Sequence, residues 1–138
     1  MFSTISFAQQ AVEVSDIIIS DLDNNLIEIR VEVKNTSMKS ISELAGFIDI
    51  YDKYGNIIEK QEIVIVLNSD IPLKPQNTAS GSIIITQRPN MSGQVNFRIT
   101  NLRYFGEPNV YLICPVCGEL IPKDWSPEHH GKRLSVTQ

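Results

Sequence analysis

The chain has 138 residues, 42% of them hydrophobic, which is the size and composition of one globular domain. Its formal net charge of −4 and its scattered Lys and Arg residues argue against nucleic-acid binding, which needs a basic patch, and no apolar run approaches the roughly 18 residues of a membrane-spanning helix. The 20 Ile and 10 Val against 4 Ala favour strands, because β-branched side chains suit a pleated sheet and Ala is the strongest helix former.

Seven segments have the apolar content of strands, and turn signals rich in Asp, Asn, Gly or Pro separate them. The clearest is the second, where Ile27, Ile29, Val31 and Val33 alternate with charged residues, as in a strand with one buried face. In chain order the predicted strands are Val12–Ser20, Ile27–Lys34, Ile41–Tyr51, Ile57–Leu67, Ala79–Gln87, Val95–Thr100 and Val110–Ile113.

Seven strands with regular turns and no helical segment predict an all-β fold. An immunoglobulin-like antiparallel β-sandwich is expected, with a small barrel as the alternative. Three regions follow from the composition: a sandwich at residues 12–105, a Cys/His tail at 106–138, and residues 1–11 before them. The first 11 residues are either a flexible N-terminus or the remnant of a signal peptide, since small residues stand at Ser6 and Ala8.

The segment Ile48–Asn56 resembles the signature of FxLYD-type domains, which are immunoglobulin-like modules of secreted and surface proteins. Isoleucines stand where the family has its aromatic residue and its leucine. The segments Val31–Asn35, Leu73–Pro75 and Val95–Ile99 resemble further strands and loops of these domains, so the resemblance covers about residues 13–103. It implies a non-enzymatic β-sandwich located outside the cytoplasm. A cytoplasmic location is the alternative.

Two residues of this motif have expected structural roles. Asp52 precedes the turn that contains Gly55, and an aspartate at that position bonds to backbone amides of the turn. Tyr51 is expected to bury its ring at the edge of the sandwich and to keep its hydroxyl in water.

Both cysteines, both histidines and the only tryptophan lie within the tail. Cys114 and Cys117 form a C-P-x-C-G turn, in which the glycine lets backbone amides point at the thiolates, and His129 and His130 follow. This arrangement resembles the start of C2HC and C2H2 zinc fingers, in which a turn carries the cysteines and a helix carries the histidine. The sequence therefore predicts a zinc site made by Cys114, Cys117, His129 and His130, with the fourth ligand undecided.

The cysteine pair also permits a disulfide, which competes with zinc because zinc needs thiolates. A metal or a crosslink would order a segment too short to bury its own core, and Leu120 or Trp125 would then pack on the sandwich. Phosphate-binding loops and hydrolase motifs are absent from the sequence.

The predicted function is a non-catalytic interaction or structural module that binds a protein partner and holds a structural zinc. One alternative is a protein that binds zinc or copper reversibly, because thiolates and imidazoles also accept Cu(I). Another is a zinc-dependent hydrolase, for which Glu119 and Glu128 are the candidate bases.

Overall fold

The computed structural model describes residues 11–68, 70–114, 118–123, 128–129 and 132–133. These residues form strands and turns without a helix, and no membrane-spanning helix occurs among them. The strands are β1 Val12–Asp21, β2 Leu26–Asn35, β3 Ile41–Asp52, β4 Ile57–Val66, β5 Thr78–Thr86, β6 Met91–Tyr104, β7 Tyr111–Ile113, β8 Leu120–Pro122, β9 Glu128–His129 and β10 Lys132–Arg133. The predicted all-β class is confirmed.

Two antiparallel sheets form the sandwich. The smaller sheet has the order β1-β2-β5, and the larger has the order β4-β3-β6-β7-β8. The order β1-β2-β5 matches strands A-B-E of immunoglobulin-like domains, and β4-β3-β6-β7 matches C′-C-F-G, with β8 as an additional edge strand. The predicted sandwich architecture is confirmed. Strands β9 and β10 pair with each other as a separate hairpin.

The core lies between the inner faces of the two sheets. On β2, Ile29, Val31 and Val33 are fully buried, as their alternation with charged residues predicts. The larger sheet contributes Ile48 and Ile50 of β3, together with side chains of β6. Full burial of each such side chain is worth about 1.5–3 kcal/mol, so the isoleucine- and valine-rich composition supplies the main stabilising term of the sandwich.

Strand β6 is longer than the sequence predicts. Residues 88–94 are expected as a turn, but the strand begins at Met91, which pairs with Asp52 of β3. At the other end a register shift near Thr100 breaks the two-residue alternation, so that Ile99 and Leu102 both face the core. The sequence pattern ends at that irregularity, whereas backbone pairing with β3 continues to Tyr104.

The larger sheet continues into the segment where the tail was expected to begin. Strand β7 pairs with β6 through Tyr111 and Leu102, and β8, which the sequence did not predict, pairs with β7. Leu120 packs against the main core, as expected if the tail docks on the sandwich. Trp125, the other predicted docking residue, lies outside the described residues.

Candidate functional site

The C-P-x-C-G segment connects β7 to β8, which are the last two strands of the larger sheet. The Cys114 amide donates a hydrogen bond of 2.9 Å to the Glu119 carbonyl, and the Gly118 amide donates one of 2.9 Å to the Cys114 carbonyl. Gly118 has φ = +79°, a backbone conformation that glycine adopts without steric cost. The segment therefore begins and ends in a closed β-hairpin.

The β7–β8 hairpin holds Cys114 on a buried face. Leu112 pairs directly with Ile121, and Cys114 lies on the same face as Leu112 because strand side chains alternate. Cys114 is 2% exposed and forms a small cluster with these two residues, apart from the main core. The strand backbone and this cluster fix the position of the first predicted ligand.

The other predicted zinc ligands are described less fully. Cys117 and His130 lie outside the described residues. The backbone of His129 belongs to β9 and pairs with Lys132, so this histidine is carried by a strand, whereas the resemblance to zinc fingers implies a helix. The described residues contain no group of three or more His, Cys, Asp or Glu side chains placed to hold a metal. The zinc site stays a prediction.

Asp52 has the capping role that its sequence position predicts. Its Oδ1 atom accepts hydrogen bonds of 2.9 Å from the amides of Tyr54 and Asn56. The backbone bond from Asn56, assisted by the one from Tyr54, lowers the pKa of the Asp52 carboxyl below its ordinary value. Tyr51, beside it, is half-buried.

This capping predicts a pH dependence of stability. The stability that Asp52 contributes is fully present above its ordinary pKa of 3.8 and is lost as the pH falls through the lower pKa of the folded state. Asp52→Asn keeps an acceptor oxygen that cannot be protonated, so it should lose less stability between about pH 5 and pH 2. Urea unfolding of both proteins across this range checks the prediction, and a constant difference in unfolding free energy would contradict it.

Three loops at one end of the sandwich contact one another, and no sequence pattern predicts these contacts. These loops connect β2 to β3, β4 to β5 and β6 to β7. The first and the last correspond to the B–C and F–G loops of an immunoglobulin-like sandwich. Lys39 forms an ion pair of 2.8 Å with Glu107, and Arg103 donates a hydrogen bond of 3.1 Å to the Glu107 carbonyl. Arg103 also bonds to the side chain of Asn68. All three loops are thereby joined.

Large apolar side chains project from this three-loop end. Met38 is 91% exposed, Ile71 85% and Phe105 65%. Isolated exposed apolar residues are ordinary on a folded protein, whereas a contiguous apolar patch is typical of a contact surface. Each of the three lies between two predicted strands, and no sequence signal distinguishes it from the other apolar residues there.

One buried carboxylate has a structural explanation. Asp49 is 3% exposed, and its two oxygens accept hydrogen bonds of 2.6 and 2.9 Å from Arg98. The hydrogen bond to Asp49 raises the pKa of Arg98, whose guanidinium also lies 5.6 Å from the centre of the Phe47 ring. Both Asp49 oxygens are thus engaged in an ion pair on the outer face of the larger sheet.

No family model matches this chain, and no curated protein matches it. Among solved structures, the chain is similar to IrmA from Escherichia coli, over 92% of this chain and 96% of that one. The TM-score is 0.50 and the sequence identity is 15%. A similarity at this level of identity supports the fold alone.

Proposed function

We propose that this chain is a non-catalytic interaction module, located outside the cytoplasm, whose C-terminal segment is held by a structural zinc ion. The observation that carries the zinc part is the β7–β8 hairpin. Its backbone hydrogen bonds join the two ends of the C-P-x-C-G segment, Cys114 and Gly118, and Cys114 is buried beside Leu112 and Ile121. A cysteine ligand fixed by the strand loses little conformational freedom when a metal binds.

The interaction part is supported by the three-loop end. Its loops are joined by the Lys39–Glu107 ion pair and by the bonds of Arg103, while Met38, Ile71 and Phe105 project into solvent. Exposed loops on a fixed scaffold are a common place for binding residues. The location outside the cytoplasm is proposed from the resemblance of residues 13–103 to FxLYD-type domains.

Zinc removal should loosen the hairpin without unfolding the sandwich. We expect a strong zinc chelator to accelerate amide hydrogen exchange at Leu112 and Ile121, because ligand loss frees the loop between their strands. Exchange at Ile29 and Ile48 in the core should not change. Hydrogen exchange read by NMR checks this prediction.

The matched variant is Cys117→Ser, which removes a predicted ligand and keeps Cys114 in place. Its hairpin amides should exchange quickly before chelator is added and should not respond to it. If the chelator does not change the amide exchange rates of the hairpin in the unmodified protein, the structural zinc is contradicted. A reversible metal carrier is recognised by a different result: the metal is lost during purification while hairpin exchange stays slow.

A further inference from the structure

Strand β1 offers an open edge for another strand. It is ten residues long and, in the described part of the chain, is the outermost strand of the smaller sheet, paired only with β2. Val14, Ile18 and Ile19 are 40%, 46% and 39% exposed. Main-chain groups on the free side of an edge strand are a template for pairing with a further strand.

The charges on β1 select the partner. Glu13, Asp16 and Asp21 are its charged residues, all acidic, and none of them takes part in an ion pair formed among the described residues. Asp16 lies directly opposite Glu32 of β2, and like charges in this position destabilise a sheet. A second copy paired through β1 would add further acidic residues, whereas a basic strand would neutralise those present.

A cavity of about 280 Å³ lies at the end of β1, between the two sheets. Ile19, Ile27, Ile50 and Val95 contribute apolar walls, and Asp21 contributes a carboxylate. Asp21 pairs with Ile27, whose side chain faces the core. The volume is at the lower limit of about 300 Å³ for small-molecule pockets, so it suits a single long side chain better.

We propose that β1 binds an extended segment of a partner protein, added as a further strand, that carries a lysine or arginine into this cavity. The aliphatic part of the side chain would pack on Ile19 and Ile50, and its cation would meet Asp21. Main-chain hydrogen bonds would supply affinity, and the acidic residues of β1 would select basic strands. This inference rests on the proposed interaction function and names the chemistry of the partner.

The test uses a fluorescent, end-capped peptide of nine residues that alternates valine and lysine. Fluorescence anisotropy with the full chain should show saturable binding that weakens as salt is added. Asp21→Asn should weaken binding about tenfold or more. Glu62→Gln removes the same charge from edge strand β4 and should leave binding within about twofold of the unmodified protein.

Two further measurements separate strand addition from nonspecific attraction. The same peptide methylated on alternate backbone nitrogens cannot form the hydrogen bonds that pair it with β1 and should not bind. Circular dichroism should show that the Asp21→Asn variant is folded. No saturable binding, equal weakening by Asp21→Asn and Glu62→Gln, or full binding of the methylated peptide would each overturn the inference. The zinc content of the same sample tests the structural zinc separately. Strand binding and the structural zinc can therefore fail independently.

Discussion

The Gly46→Ala variant is expected to lose most of its stability. A Cβ atom built on Gly46 of β3 would lie 1.9 Å from the Arg98 carbonyl oxygen and 2.9 Å from the Phe97 ring. The clash is with backbone, so β3 and β6 would have to separate along the pairing that joins the centre of the larger sheet. We expect a loss of about 3 kcal/mol or more in unfolding free energy.

Urea unfolding followed by circular dichroism measures this loss. The neighbouring substitution Ala45→Gly is the control, because it changes the same strand by one methyl group in the opposite direction and should cost about 0.5–1 kcal/mol. Equal stability of Gly46→Ala and the unmodified protein would show that β3 and β6 do not approach as closely as described.

The second large effect is expected at Asn35, which is fully buried at the end of β2. Its Nδ2 donates hydrogen bonds of 2.8 Å to the Lys39 carbonyl and 2.9 Å to the Leu73 carbonyl. Its Oδ1 accepts bonds of 2.9 Å from the Ser37 amide and 2.7 Å from the Ser37 hydroxyl. Asn35→Ala would leave these groups without their partner, at a cost of about 3 kcal/mol or more.

A graded comparison tests the cause of that loss. Ser37→Ala removes the hydroxyl, with its bonds to Asn35 and to the backbone of Lys39, but keeps the Ser37 amide and the Asn35 side chain. It should cost about 1 kcal/mol, while Asn35→Ala should cost several times as much in the same urea titration. Equal losses in the two variants would show that the bonds to Lys39 and Leu73 contribute little.

The network around Asn35 shows why the loop contacts were not predictable. A strand ending in asparagine and a loop containing Leu73 are visible in the sequence as separate features. They lie 38 residues apart, and the folded backbone brings the Asn35 amide to the Leu73 carbonyl. The ion pair of Lys39 with Glu107 joins residues 68 apart and has no local signal either.

Local patterns did predict the elements that follow a regular period. The alternation from Ile27 to Val33 matches the buried face of β2, and the capping role of Asp52 follows from the turn chemistry beside it. The period fails where the backbone is irregular, as at Thr100 of β6, and in very short strands such as β8. A three-residue strand has too few positions to display alternation. Strand β7, which is equally short, was predicted from its run of apolar residues and not from a period.

Only part of the candidate site was predictable from the sequence. The C-P-x-C-G spacing predicts a turn that carries both cysteines, and among the described residues Cys114 lies where strand β7 ends, bonded to Glu119 and Gly118. The burial of Cys114 against Ile121 depends on β8, which was not predicted, so the sequence could not show that this predicted ligand is held by the sheet. The like-charge pair at the edge strand β1 was not predictable from the sequence either, because the register shift between Val14 and Asp16 sets Asp16 opposite Glu32.

The metal content and thiol state of the untagged protein test the proposed function most directly. Native mass spectrometry should find one zinc ion per chain, and both cysteines should react with a thiol reagent only after a chelator is added. A metal-free chain whose cysteines stay unreactive even after unfolding in denaturant would contradict the structural zinc and indicate a disulfide between Cys114 and Cys117. Denaturant is needed because Cys114 is buried in the folded chain. A metal-free chain with two reactive thiols would contradict both the zinc and the disulfide.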